Sequence, residues 1–193
     1  MTIKNKTTST EAGFVDTDEL YRLMTDTYRF DAIARDDYFI DYQNMYTHLG
    51  VMSLRSMFVT CAEAFMKAGE DDRALEMIDK AADVMKHYPL ETVPLGFSGN
   101  DYMVVLMIEN YYKLGQPEKA RALAQELGAQ LLQSAKFYIE FYEWARDEFE
   151  LVGQYVYFLS DVMKQAGDKE LAKLLTDSLM DLVDEASAAL DAS

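Results

Sequence analysis

The sequence predicts an all-α fold of stacked helical hairpins, and three observations carry the prediction. The first is an internal repeat. Three times a helix-like run ends in a lysine and a glycine and restarts after a short polar step: Ala64-Phe-Met-Lys-Ala-Gly69 before Glu-Asp-Asp-Arg-Ala74, Asn110-Tyr-Tyr-Lys-Leu-Gly115 before Gln-Pro-Glu-Lys-Ala120, and Asp161-Val-Met-Lys-Gln-Ala-Gly167 before Asp-Lys-Glu-Leu-Ala172. Each glycine is followed five residues later by an alanine, and a recurrence of this kind sets a whole architecture. The second is composition: from Ser53 onward Ala, Leu, Met, Glu and Lys dominate, all good helix formers. The third is that 9 Gly and 3 Pro are too few for a turn-rich β sandwich or barrel.

Taken in order, residues 1–50 read as an N-terminal lead-in, a helix and an irregular arm, and residues 51–193 as three helical hairpins. Residues 1–15 are expected to be a flexible lead-in. Asp16-Thr-Asp-Glu19 offers an N-cap and a negative first turn to a helix beginning near Asp18. Leu20, Leu23, Met24, Thr27 and Tyr28 recur at helical spacing and give it one apolar face. From Phe30 to Tyr42 the pattern breaks into aromatics among Asp36, Asp37 and Asp41, which predicts an arm anchored by Tyr38, Phe39 and Tyr42.

The first hairpin runs from about Asn44 or Ser53 to Lys67 and from Asp71 to His87. Leu54, Phe58, Cys61, Ala62, Phe65 and Met66 form one inner stripe, and Leu75, Ile78, Ala81, Ala82 and Met85 the other. Gly69 suits the left-handed residue that ends a helix, and Asp71 or Asp72 the next cap. Pro89 and Pro94 bound the stop. The linker Pro89–Gly99 is long and apolar, a type usually packed or functional. The second hairpin pairs Asn100–Leu114 with a helix opening at Pro117, where the missing N–H costs nothing. Helical spacing continues past Gly128 toward Tyr142, with a bend expected at that glycine. The third hairpin spans about Asp147–Gln165 and Asp168–Ala189, with a polar outer face on its last helix.

Aligned on their glycines, the three units place Phe58, Cys61 and Phe65, then Val104, Met107 and Tyr111, then Val156, Leu159 and Met163 at equivalent first-helix positions, opposite Ala74, Ala120 and Ala172. Large residues facing small ones resemble the tetratricopeptide pattern, in which alanine lets two helices approach. The glycines are 46 and 52 residues apart, longer than the usual period of about 34. The expected fold is therefore an α-α superhelix of tetratricopeptide-like helical hairpins with insertions.

At 193 residues the chain can bury a proper core. Half of it is hydrophobic, with 10 Phe, 13 Tyr and 12 Met, which excludes a disordered acidic tail. The net charge of -16 repels nucleic-acid phosphates and anionic lipid and favours neutral or basic partners. The longest apolar run, Met103–Ile108, is far short of a membrane span, and Met1–Thr10 lacks an apolar signal-peptide core. A soluble segment with no direct membrane insertion is expected. The single cysteine, Cys61, lies on an apolar helical face and reads as a buried structural thiol.

No catalytic constellation is expected, and no cofactor or metal. His48 and His87 have no second ligand at metal-binding spacing. No nucleophile elbow, phosphate loop or dinucleotide fingerprint occurs. Asp16-Thr-Asp18 has the form of a glycosyltransferase metal motif but sits where a helix cap belongs. Asp36, Asp37 and Asp41 lack the spacing and glycine of a calcium loop. The candidate binding surface is a ladder of alternating charge, Glu63 and Lys67, Glu109 and Lys113, and Asp161 near Lys164, joined by Tyr102, Tyr112 and Tyr157. Such i,i+4 pairs support a helix by about 0.2–0.5 kcal/mol in any case; along a concave face they would also grip an extended peptide. Phe137, Tyr138, Phe141, Tyr142 and Trp144 form an aromatic cluster expected mostly in the core, with any exposed remainder marking an interface.

The order of segments carries a further likeness. Gly13-Phe-Val-Asp-Thr-Asp-Glu-Leu-Tyr21, Met24 to Phe30, Ser53-Leu-Arg-Ser-Met-Phe58, Ala62-Glu-Ala64 to Gly69, Val93-Pro94 and Glu109-Asn-Tyr-Tyr-Lys-Leu-Gly115 resemble the C-terminal region of a family of bacterial polytopic membrane proteins long filed under unknown function. The membrane-embedded half of that family is similar to protein O-mannosyltransferases that use lipid-linked sugars. The resemblance covers about residues 12–185. It implies a soluble domain following a transmembrane helix, on the extracytoplasmic (periplasmic) side, with the catalytic residues in the membrane half and none here. The expected function is non-catalytic: a helical-repeat interaction domain that binds a protein partner or acceptor, or its own membrane half. The alternative is a carbohydrate-binding or enzymatic module using the aromatic cluster and the acidic arm; a third reading is a structural spacer or dimerisation element.

Overall fold

The structure is a computed structural model that describes residues 7–10, 13–37, 39, 51–91 and 103–191. Among the described residues the fold is all-α apart from one short hairpin of strands. Two compact units are present, Met1–Tyr88 with Lys113–Gly115, and Pro89–Tyr112 with Gln116–Ser193.

In the first unit, strands β1 (Thr7–Thr10) and β2 (Gly13–Asp16) pair antiparallel, with Thr7 opposite Asp16 and Thr10 opposite Gly13. At residues 7–10 and 13–15 this differs from the flexible lead-in expected over residues 1–15; residues 1–6 and 11–12 lie outside the described residues. A threonine-rich segment suits a pleated strand, and an isolated hairpin, marginal by itself, is supported here because β1 lies against the first long helix. Helix α1 (Thr17–Arg22) follows and widens into a π turn at Leu23–Thr27. The Asp16 carboxylate accepts a hydrogen bond from the Glu19 N–H at 3.1 Å, so Asp16-Thr-Asp18 acts as a cap. Of the expected apolar face only Met24 is fully buried; Thr27 and Tyr28 turn outward, because the π turn shifts the helical phase.

The arm is held differently from expectation. Phe39 is 83% exposed and so is not a buried anchor, while Tyr38, Asp41 and Tyr42 lie outside the described residues. The anchor is Phe30, buried 5.0 Å from the ring of Phe58 and covered by the Lys80 ammonium. Farther along, Tyr88 donates to the Ile33 carbonyl at 3.3 Å and His87 Nε2 stands 2.6 Å from the Asp36 carboxylate.

Helices α2 (Val51–Lys67) and α3 (Asp71–Val84) form the first hairpin and pack on each other. In the second unit come α4 (Met103–Lys113), α5 (Pro117–Glu140), α6 (Tyr142–Gln165) and α7 (Lys169–Asp191), with α5 packed on α6 and α7, and α6 on α7. All nine aligned first-helix positions are buried, and Ala74, Ala120 and Ala172 are wholly inaccessible. Cys61 is buried too, and burial pushes its thiol up to about 11.

The repeat is visible atom by atom. Gly69, Gly115 and Gly167 have φ of +74°, +70° and +95°, a region that a side chain rarely enters. After each glycine, the next N–H reaches back to a carbonyl five residues earlier: Glu70 to Phe65 at 2.9 Å, Gln116 to Tyr111 at 2.8 Å, Asp168 to Met163 at 2.9 Å. This is the Schellman closure of a helix end. The carbonyl of that same residue then accepts from the alanine that opens the next helix, at 3.0, 3.1 and 3.1 Å. One residue thus ends one helix and starts the next in all three turns.

Two details modify the expected helices. Gly128 lies inside an unbroken α5, and a Cβ there would stand 3.1 Å from Leu175 Cδ1. The glycine serves a close approach of α5 and α7 in place of the bend expected there. The break falls instead at Phe141 (φ −117°, ψ 30°) and at Ala145 (φ −122°, ψ 30°), which isolate Tyr142–Trp144 as a single turn. Asn110 is a further departure: it is buried on α4 with neither amide atom hydrogen-bonded, where the other units carry Ala64 and Val162. An unpaired buried amide costs stability.

Candidate functional site: an aromatic cavity beside the break between two helices

The charge ladder falls on separate helices. Glu63 is half-buried on α2 and Lys67 is exposed in its last turn, with no ion pair between them among the described residues. Glu109 is half-buried and Lys113 exposed on α4. On α6, Asp161 accepts from Gln165 Nε2 at 2.6 Å, and the exposed Tyr157 directs its hydroxyl to Met180 Sδ at 3.7 Å on α7. Tyr102 lies outside the described residues.

Tyr112 is committed to a different task. Its hydroxyl donates to the Asp168 carboxylate at 2.5 Å, and Arg121 grips the same carboxylate through Nε and one terminal nitrogen at 2.7–3.0 Å. Asp168 closes the last turn of the repeat, so this cluster ties the second hairpin to the third. The Asp168 side chain is 14% exposed. The Arg121 hydrogen bonds hold its carboxyl below the usual carboxylate range, and burial followed by the Asp168 bond holds the Tyr112 phenol up. In the first unit Glu70 has the equivalent position and takes Arg73 at 2.8 Å and Thr17 at 3.3 Å, while Arg73 lies over the ring of Tyr21.

A carboxylate whose pKa is lower in the folded chain adds stability that is full above its unfolded value and disappears as pH falls through the folded one. Asp168→Asn is therefore expected to cost roughly 1–3 kcal/mol at neutral pH. The gap in Tm to the parent should shrink as pH drops below the ordinary carboxylate range. A gap independent of pH would show that the carboxylate charge does not hold the latch.

The aromatic cluster is the clearest surface feature, and here the expectation of core packing is corrected. Only Tyr138 is buried; Trp144 is 87% exposed, Phe137 56%, Phe141 50% and Tyr142 40%. For Tyr142 and Trp144 the break in helical geometry is the cause: with Phe141 and Ala145 outside it, the intervening turn leaves the α5–α6 packing face, whereas Phe137 sits on the outer face of the regular helix α5. Phe137 lies 5.1 Å from Phe141 and Tyr142 5.8 Å from Phe149, ring to ring. Phe141, Tyr142 and Trp144 border a cavity of about 760 Å³ whose far wall is Leu182 on α7. Glu140, Glu143 and Glu185 also line it, with Lys136 as the one cation among the described residues. The aromatic residues and the first two acids are legible as a run in the sequence; Leu182 and Glu185, some forty residues on, are brought in only by the return of α7.

Among the described residues no group of three or more His, Cys, Asp or Glu is arranged to hold a metal ion, and no helix is long and apolar enough to cross a membrane. Comparison with protein-family models, with curated proteins and with solved structures finds no match to this chain.

Proposed function

We propose that the chain is a non-catalytic helical-repeat interaction domain that holds a polypeptide partner. The observation that carries this reading is the group of large aromatic side chains left in solvent side by side at the cavity, while Phe30, Phe58, Phe65 and Tyr111 are buried in the core. Aromatic area of this kind is what interfaces bury. The tetratricopeptide-like superhelix, whose concave face would carry the Glu63, Glu109 and Asp161 ladder, is part of the same proposal. On its resemblance to the bacterial membrane family, the domain is the soluble C-terminal part of a glycosyltransferase-like protein. It would stand on the extracytoplasmic side and hold an acceptor or its own membrane half.

The test is binding to an array of unstructured peptides spanning acidic, neutral and basic compositions, with two paired variants. Phe141→Ala with Trp144→Ala removes the aromatic surface; Glu63→Lys with Glu109→Lys reverses the ladder. Micromolar binding weakened at least tenfold by one pair supports the reading and tells which surface acts. No binding by any peptide, or binding indifferent to both pairs, overturns it.

The carbohydrate-binding alternative draws on the exposure of Trp144. Of its other proposed element, Asp36 pairs with His87 and Asp37 with Arg35, and Asp41 lies outside the described residues. Titration with sugars separates the two readings.

A further inference from the structure

Resting on the interaction-domain reading, we propose that the cavity at the α5–α6 break is a receptor for a basic side chain, arginine or lysine, presented by an extended segment of a protein partner. Three features converge. Phe141, Tyr142 and Trp144 bring three aromatic rings to the lining of one open cavity, and a cation is attracted to the face of such a ring. Glu140, Glu143 and Glu185 put three carboxylates on the lining against the single ammonium of Lys136, so the cavity is net negative. The chain as a whole carries a net charge of -16, which draws a basic segment toward it and repels an acidic one. The volume of about 760 Å³ is ample for a guanidinium and its aliphatic stem, which the Leu182 wall would pack against.

The chemistry divides between the two kinds of lining. The rings attract the cation through their negative faces. The carboxylates give charge-assisted hydrogen bonds and set orientation, and arginine, with its planar fork, satisfies two of them at once. Arginine should therefore be preferred over lysine. A glutamate peptide should be rejected.

Trp144 is the only tryptophan in the chain, so its fluorescence reports this site alone. The experiment titrates the full chain with an arginine–glycine repeat peptide, a lysine–glycine one, a glutamate–glycine one and a manno-oligosaccharide, and repeats the arginine titration by calorimetry on variants. Expected are a saturable Trp144 response to arginine, a weaker one to lysine and none to glutamate or sugar. Phe141→Ala with Tyr142→Ala, which leaves the charge unchanged, should loosen the arginine peptide about tenfold. Glu140→Gln, Glu143→Gln and Glu185→Gln together should loosen it at least as much. Removing the same charge elsewhere, with Asp71→Asn, Asp72→Asn and Glu126→Gln, should change it less than twofold. Equal loss from both charge sets, or no loss from the aromatic pair, means diffuse attraction to an acidic protein and overturns the proposal. A response to the sugar alone transfers the cavity to the carbohydrate reading. Should the neutral peptides of the array bind while the basic ones show no advantage, the inference fails and the interaction-domain reading stands.

Discussion

Phe58→Ala is expected to destabilise the first unit by about 3–5 kcal/mol. Phe58 is wholly inaccessible on α2, and its ring meets Phe30 at 5.0 Å, so it holds both the hairpin and the arm. Truncation removes most of a buried aromatic surface and leaves a void that rigid helices close poorly. A domain has only about 5–15 kcal/mol in total, and the loss should show as a lower urea midpoint and earlier amide exchange in α2 and α3. A cycle with Phe30→Ala should reveal coupling of about 0.5–1.5 kcal/mol from the ring pair. Phe39→Ala, on an exposed side chain, should stay within about 0.5 kcal/mol. Equal effects at Phe39 and Phe58 would refute the described anchoring of the arm.

Ala172→Leu is expected to cost roughly 1–3 kcal/mol although it adds apolar surface. Ala172 has no exposed area, its carbonyl accepts from Ser160 Oγ at 3.2 Å across the hairpin, and its N–H is bonded to the Asp168 carbonyl at 3.1 Å. The added carbons have nowhere to go unless α6 and α7 separate, and separation lengthens the bond from Ser160. Ala74→Leu and Ala120→Leu should behave alike, because both alanines are equally inaccessible and follow the same turn. Leu174→Ala, two residues along on the exposed face, should matter far less. Thermal unfolding of the four variants decides the matter: an Ala172→Leu chain as stable as its parent would mean the helices are not in close contact there.

Phe58 and Ala172 lie where local pattern and final packing agree; other residues mark where the two part. The Lys-to-Gly punctuation locates all three turns, because a left-handed residue at a helix end leaves a near-unique chemical signature. The alanines five residues later announce the tight helix pairs for the same local reason. Phe58, Val104 and Leu159 are readable as core from helical spacing alone. The β hairpin is not, because threonine-rich segments also suit loops, and its pairing depends on support from α2. Nor does the arm reveal that Phe30 turns inward and Phe39 outward, since an irregular segment has no period to tell its aromatics apart. Gly128 invites a bend on propensity grounds, but the closeness of Leu175 is a tertiary fact.

By itself, then, the sequence determined the helices, their turns and the residues facing inward, all governed by interactions within a few positions of one another. Tertiary structure alone decided which aromatics reach solvent, that Asp168 receives Arg121 and Tyr112, and that Glu185 joins Glu140 and Glu143 around one cavity. Those outcomes depend on where helices distant in sequence come to rest, and no local pattern of side chains encodes that distance.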